Sequence, residues 1–157
     1  MDAHIDALVV ELQAASAGAR ELVEVFPENL LSARPGEGRW SALECLAHLV
    51  VTSETYVPLV SGALKANTPV GGERRFRMDA AGWLIARSLE PPVRMRTRTV
   101  EEFQPRPFGS ASALLARFLE LQEGTEGVLR AAARYDLNVI KVVSPFNRRI
   151  RYNLFSC

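Results

Sequence analysis

A stripe of polar side chains runs along one face of an otherwise apolar segment in the first half of the chain. At about 100° per residue of an α-helix, its members fall within about 80° of one another. They are Glu44, His48, Thr52 and Thr55. The other faces of the segment carry leucine, valine and alanine. A neutral imidazole in such a place is a metal-binding or proton-transferring group, or a buried polar group that needs a partner.

Two interpretations of this stripe are open at the level of spacing. In the first, it lines a pocket, His48 is a metal ligand, and Glu44 or Thr52 orients it. In the second, the stripe faces solvent, and spacing alone favours this second interpretation. A single histidine falls short of a catalytic zinc site, which usually takes three protein ligands. The other histidine, His4, precedes the apolar face of the first helix, where we expect it to be exposed and without function.

The polar stripe belongs to the second of several predicted helices. Ser41 and, three residues later, Glu44 form a capping-box pattern at its start. The apolar pattern continues to about Ala66, and Pro58 predicts a kink. Around this helix the sequence predicts a helix over roughly 3–26, a short helix over 79–89, a strand-like segment over 93–99, and a long helix starting at Ser110 or Ser112.

Size and composition indicate one soluble domain spanning residues 1–157. The net charge of +1 speaks against a nucleic-acid partner. The sequence has no apolar run of about 18 residues and no leader-like start, so we expect no membrane partner. With two cysteines there is no disulfide framework, and we expect a cytoplasmic protein.

Several sequence elements together resemble the DinB-like (YfiT-like) superfamily of metal-binding bundles. The most specific element is Gly38-Arg39-Trp40-Ser41, followed by Glu44, by His48-Leu49 and by Glu54. The first helix, the segment Thr99 to Pro105 and Ser144-Pro145-Phe146 fit in the same order. The similarity extends over most of the chain.

This resemblance implies an all-α, up-down-down-up four-helix bundle with a divalent metal, zinc or nickel. One ligand would come from the second helix and two histidines from the last helix. His48 matches the first ligand, and the other two have no match up to Cys157. We expect the last helix to be truncated rather than its site lost, because Ile150 to Phe155 has the apolar spacing of a helix start.

The resemblance also implies a function in small-molecule chemistry and the stress response. Relatives with known chemistry are thiol-dependent transferases, isomerases or hydrolases, in which the metal activates a bound thiol or water. We therefore expect His48 to face inward and bind a metal, with Glu44, Thr52, Glu54 and Thr55 around it. A low-molecular-weight thiol, a small-molecule substrate and a homodimer are expected too. The alternative is a non-catalytic bundle that binds a small ligand or a partner protein.

Overall fold

The computed structural model describes residues 3–71, 75–89 and 99–157. Within these ranges the chain is mostly helical, which confirms the all-α class. The α-helices are α1 (Ala3–Val25), α2 (Glu28–Ser32), α3 (Ala42–Lys65), α4 (Ala80–Leu89) and α5 (Ala111–Ala132). Two short strands, β1 (Lys141–Val143) and β2 (Arg151–Asn153), and two 3₁₀ turns, Glu101–Phe103 and Leu154–Ser156, complete it. Of the predicted strand over 93–99, residues 93–98 lie outside the described residues.

Helix α3 begins where the capping-box pattern predicts. The Ser41 side chain accepts a hydrogen bond from the Glu44 backbone N–H at 3.2 Å. The Glu44 carboxylate in turn accepts one from the Ser41 backbone N–H at 2.8 Å. Two N–H groups that the helix leaves unpaired are thereby satisfied. The start of α5 is likewise fixed by Ser110, whose side chain accepts from the Ala113 N–H at 3.2 Å.

The long helices α1, α3 and α5 enclose the core. Helix α3 packs along α5, and α5 also packs against α1. One cluster of buried side chains joins α3 to α5; it includes Leu43, Leu46, Ala47, Val50, Leu114, Phe118 and Leu121. A second cluster joins the other ends of α1, α3 and α5 to the C-terminal residues; it includes Ile5, Leu64, Ala132, Leu137, Ile140, Val142, Tyr152 and Leu154. Among the described residues, no helix is both long enough and apolar enough to cross a bilayer.

The expected start of a fourth helix at Ile150 to Phe155 is wrong. These residues form β2 and a 3₁₀ turn, and β2 pairs with β1 in antiparallel register, with Val142 opposite Tyr152. The apolar residues Ile150, Tyr152 and Leu154 have a spacing of two, and the last two are buried. So short an apolar run fits a strand as well as a helix. Pairing with β1 and burial against the core decide for the strand.

The carboxylate of Asp79 anchors this C-terminal hairpin to α4. One oxygen caps the helix by accepting from the Gly82 N–H at 2.9 Å. The other accepts from the Asn153 N–H at 2.8 Å and from Lys141 Nζ at 2.6 Å. Burial of Asp79 opposes its ionisation, but these hydrogen bonds outweigh it, and the pKa of Asp79 is lowered. Since α4 and the hairpin share one charged partner, they hold each other in place.

Replacing Gly82 by alanine should break this junction. A Cβ at position 82 would lie 2.0 Å from Cβ and Oγ of Ser156, so the hairpin would have to move. We expect the free energy of unfolding, measured by urea denaturation, to fall by about 2 kcal/mol. Gly62→Ala in α3 is the control, because a Cβ there meets nothing within 4 Å. The control should gain about 0.5–1 kcal/mol. Equal free energies of unfolding for the two variants would contradict the close packing of Ser156 against Gly82.

Candidate functional site

A cavity of about 770 Å³ lies between the helices and the C-terminal hairpin. Most of its surface is apolar. Helices α1, α3, α4 and α5 all contribute to the wall, and the hairpin closes one side. Its apolar side chains include Leu12, Val57, Val60, Ile85, Val128, Leu129 and Ile150. The polar side chains that line it come mainly from α3 and α5, so the two best-packed helices set their positions.

His48 lies on the cavity wall, and a single hydrogen bond fixes its ring. The ring is half-buried, and its Nδ1 is 2.7 Å from the backbone carbonyl oxygen of Phe103. Because a carbonyl oxygen only accepts, Nδ1 must carry the hydrogen. In the neutral ring Nε2 then holds a free lone pair. The indole of Trp40 packs against the imidazole, with ring centroids 5.1 Å apart. The structure thus fixes the tautomer of a histidine that lines a largely apolar cavity.

Phe103 is the positioning residue that sequence reasoning missed. Its side chain is 1% exposed and stacks on Phe146, with centroids 4.3 Å apart. This packing holds the 3₁₀ turn Glu101–Phe103 against α3, and the turn presents its carbonyl to His48. The signal was available, since Phe103 lies in the segment Thr99 to Pro105 that carries part of the family resemblance.

Thr52 and Thr55 divide between two sites. Thr52 lines the same cavity as His48, one helical turn further along α3. Thr55 instead lines a smaller hollow of about 360 Å³, beside Leu59 and Phe103. Both hydroxyls donate to the backbone carbonyl four residues earlier, Thr52 at 2.8 Å and Thr55 at 3.1 Å. The predicted stripe therefore brings His48 and Thr52 together and places Thr55 elsewhere.

The two glutamates of the predicted site pair with arginines and do not line the cavity. Glu44 accepts from Arg34 Nε at 2.9 Å besides closing the helix cap. Hydrogen bonds from Arg34, and then from the Ser41 backbone, lower the pKa of Glu44 to about 2. Glu54 accepts from Arg117 Nη2 at 2.8 Å, and Arg106 lies 3.6 Å away. Both carboxylates therefore stabilise connections between elements of the fold.

Tyr56 and Cys157 add polar side chains to the cavity wall. The hydroxyl oxygens of Tyr56 and Tyr152 lie 3.3 Å apart. Burial, and then the hydrogen bond between them, raises the pKa of Tyr56. Burial also raises the pKa of the Cys157 thiol to about 12, although the residue as a whole is exposed. The Tyr56 hydroxyl and the Cys157 thiol are uncharged at neutral pH, so this part of the wall offers one hydroxyl and one thiol.

A metal centre would need more ligands near His48 than the described residues supply. Among them, no group of three or more His, Cys, Asp or Glu side chains lies close enough to hold a metal ion. His4 is exposed, as expected, and its ring lies 5.0 Å from that of Phe155. It does not line the cavity. Within the described ranges, His48 therefore fits a metal only as a single ligand.

Comparison with protein families finds a match over most of the chain. A family model described as the DinB superfamily matches residues 11–154, which is most of the chain. No curated protein and no solved structure matches it.

Replacing Glu44 by glutamine should lower Tm at pH 7 by roughly 2 °C, because the cap remains while the ion pair with Arg34 is lost. The pKa of Glu44 is depressed in the folded state, so its stabilisation is present above the unfolded pKa near 4.5. It disappears as the pH falls through about 2. Thermal unfolding followed by circular dichroism should show the two proteins converging over that range. Glu120→Gln, in an exposed pair with Arg117, is the control and should differ little from the parent. A Tm difference independent of pH would contradict this role for the Glu44 charge.

Proposed function

The chain belongs to the DinB superfamily, and from that premise we propose that it binds a small organic molecule in the cavity beside His48. The imidazole is the side chain that contacts the polar or reactive group of that molecule. The observation that carries the proposal is the 2.7 Å hydrogen bond from Nδ1 to the Phe103 carbonyl, because it leaves Nε2 as the free nitrogen of the ring.

The cavity has the size and the chemistry of a small-molecule site. Its volume of about 770 Å³ falls within the roughly 300–1,000 Å³ that is typical of ligand pockets. An apolar surface provides the free energy of binding, and a few placed polar groups provide orientation. Val57 and Val60 of α3 and Val128 and Leu129 of α5 line the space, so an apolar ring or chain in it would contact both helices.

His48 is suited to accept a proton from a bound molecule. The Nδ1 hydrogen bond holds the ring in one tautomer, and the contact with Trp40 restricts its rotation. A hydroxyl or thiol placed at Nε2 would donate its hydrogen bond there, and transfer of that proton would produce an alkoxide-like or thiolate nucleophile. The low-molecular-weight thiol implied by the resemblance is one candidate for this position.

The metal-dependent transferase or hydrolase chemistry implied by the resemblance finds one supporting feature. A metal-binding histidine commonly donates its other ring N–H to a backbone carbonyl, as His48 does. When bound, zinc or nickel would lower the pKa of a coordinated thiol or water. A catalytic zinc usually has three protein ligands, however, and the described residues supply His48 alone. The described residues therefore do not fit a metal centre.

Adding one equivalent of zinc or nickel chloride should accordingly leave Tm within about 1 °C of the metal-free value. A ligand that binds the folded state raises Tm, so differential scanning fluorimetry checks this directly. His48→Ala is the control variant and should respond in the same way as the parent. A rise in Tm that is present in the parent and lost in His48→Ala would instead support the metal-dependent function.

Filling the cavity should weaken ligand binding. Val60→Phe places an aromatic ring in the space, whereas Val10→Phe makes the same change at a 64% exposed site on α1. We expect saturable fluorescence enhancement of N-phenyl-1-naphthylamine with the parent and with Val10→Phe. Its affinity should fall by at least about tenfold in Val60→Phe. Equal affinities in all three proteins, or no saturable binding to any, would show that this cavity is not the binding site.

A further inference from the structure

The aromatic ring of Phe146, in the turn between β1 and β2, lines the cavity beside His48. The residue is 42% exposed, although it is a large apolar side chain. Aromatic side chains supply much of the contact area in small-molecule sites. What this ring offers to a ligand depends on which of its surfaces is open and on how firmly it is held.

One face of the Phe146 ring is already covered by Phe103. The two rings are stacked, with centroids 4.3 Å apart and planes inclined by 27°. Phe103 lines the smaller hollow and not the large cavity, whereas Phe146 lines the large cavity and not the hollow. The stacked pair therefore stands between the two spaces. The surface that Phe146 turns to the cavity is the face opposite Phe103, together with the adjoining edge.

Three contacts hold the Phe146 ring in place. Its backbone N–H donates to Oγ of Ser144 at 3.3 Å, and Ser144 is 2% exposed. The ring of Tyr56 on α3 lies against it in a tilted arrangement, with centroids 6.1 Å apart. The third contact is the stack on Phe103, which is itself 1% exposed. A ring fixed in this way loses little conformational freedom when a ligand binds, so more of the contact energy appears as affinity.

The other apolar side chains that the structure describes in the wall are aliphatic, among them Val57, Val60 and Leu129. Aliphatic groups have no π face, so they contact a saturated and an aromatic ligand about equally well. Against Phe146, in contrast, a planar aromatic ring gains a stacked or edge-to-face contact that a saturated ring of similar outline lacks. Such a contact is typically worth a factor of about 2–10 in affinity beyond the area that it buries.

We propose that Phe146 selects ligands that carry a planar aromatic ring, and that this ring packs against the surface of Phe146 opposite Phe103. This inference rests on the proposed function and adds to it the chemical class of the ligand and the residue that recognises it. Phe103 then supports both contacts with the ligand, because its ring backs Phe146 and its carbonyl orients His48.

Two probes that share a hydroxyl and a two-ring outline test the ligand class. They are 2-naphthol, which is planar and aromatic, and trans-decahydro-2-naphthol, which is saturated. By isothermal titration calorimetry at pH 7.5, where both probes are uncharged, we expect the parent to bind 2-naphthol at least about threefold more tightly. Equal affinities, or tighter binding of the saturated probe, would overturn the inference and leave the proposed function standing. Binding of neither probe would overturn both.

Three variants test the assignment to Phe146. Phe146→Leu removes the aromatic ring and keeps an apolar side chain. It should weaken 2-naphthol about threefold or more and change the affinity for the saturated probe by less than about twofold. Phe146→Tyr keeps the ring and should keep the preference of the parent. Phe26→Leu makes the same change as Phe146→Leu at a 45% exposed phenylalanine that does not line the cavity, and it should change neither affinity.

The saturated probe separates recognition by the ring from support of the fold. A disturbance of the hairpin or of His48 in Phe146→Leu would weaken both probes, because both use the same hydroxyl and the same aliphatic wall. Equal weakening of the two probes would therefore overturn the assignment. An undiminished preference for 2-naphthol in Phe146→Leu would overturn it as well.

Discussion

The site depends on one hydrogen bond, from the imidazole of His48 to the backbone carbonyl of Phe103. It connects α3 to a 3₁₀ turn that lies 55 residues further along the chain. A carbonyl can only accept, so this contact settles which nitrogen carries the hydrogen and leaves the other one basic. The bond holds its geometry because the Phe103 side chain is buried and stacked on Phe146. The apolar packing of the Phe103 side chain thus fixes the position of the carbonyl that determines the tautomer of His48.

Three more side chains of the cavity wall donate their hydrogen bonds to groups within the protein. Helical threonines commonly bond the carbonyl one turn earlier, which costs the helix little. In this protein Thr52 does so on α3 and Thr125 on α5. The Gln122 amide nitrogen donates to the Leu12 carbonyl of α1. The result is a mostly apolar space that Thr52, Gln122 and Thr125 line on one side, while Tyr56 and Cys157 add an O–H and an S–H group elsewhere on the wall.

The C-terminal hairpin closes this space because Asp79 holds it. The carboxylate serves as helix cap, as acceptor for the β2 backbone and as partner of Lys141 at the same time. Gly82 lets Ser156 approach α4 closely, since any Cβ there would collide with it. Both residues precede the hairpin in sequence by about sixty positions. Their importance becomes visible only when the chain has folded back on itself.

Local sequence determined the long helices α1, α3 and α5 and the position of His48 on α3. The start of α3 follows from Ser41 and Glu44, and that of α5 from Ser110, because a cap and its partners lie within one helical turn. The family assignment rests on the same local residues and is confirmed. The thiol and the homodimer stay predictions, since no feature of the described residues tests them. The metal also stays a prediction, toward which the described residues supply His48 alone.

Tertiary structure alone decided what the polar stripe faces and which secondary structure the C-terminal residues adopt. His48 and Thr52 line the cavity, whereas Glu44 and Glu54 are paired with arginines that lie 10 and 63 residues away in sequence. The apolar residues near Tyr152 were compatible with a helix or a strand, and pairing with β1 selected the strand. In each case the deciding partner is distant in sequence. A helical wheel orders the residues of one helix, but only the packing of other elements against it distinguishes an inner face from an outer one.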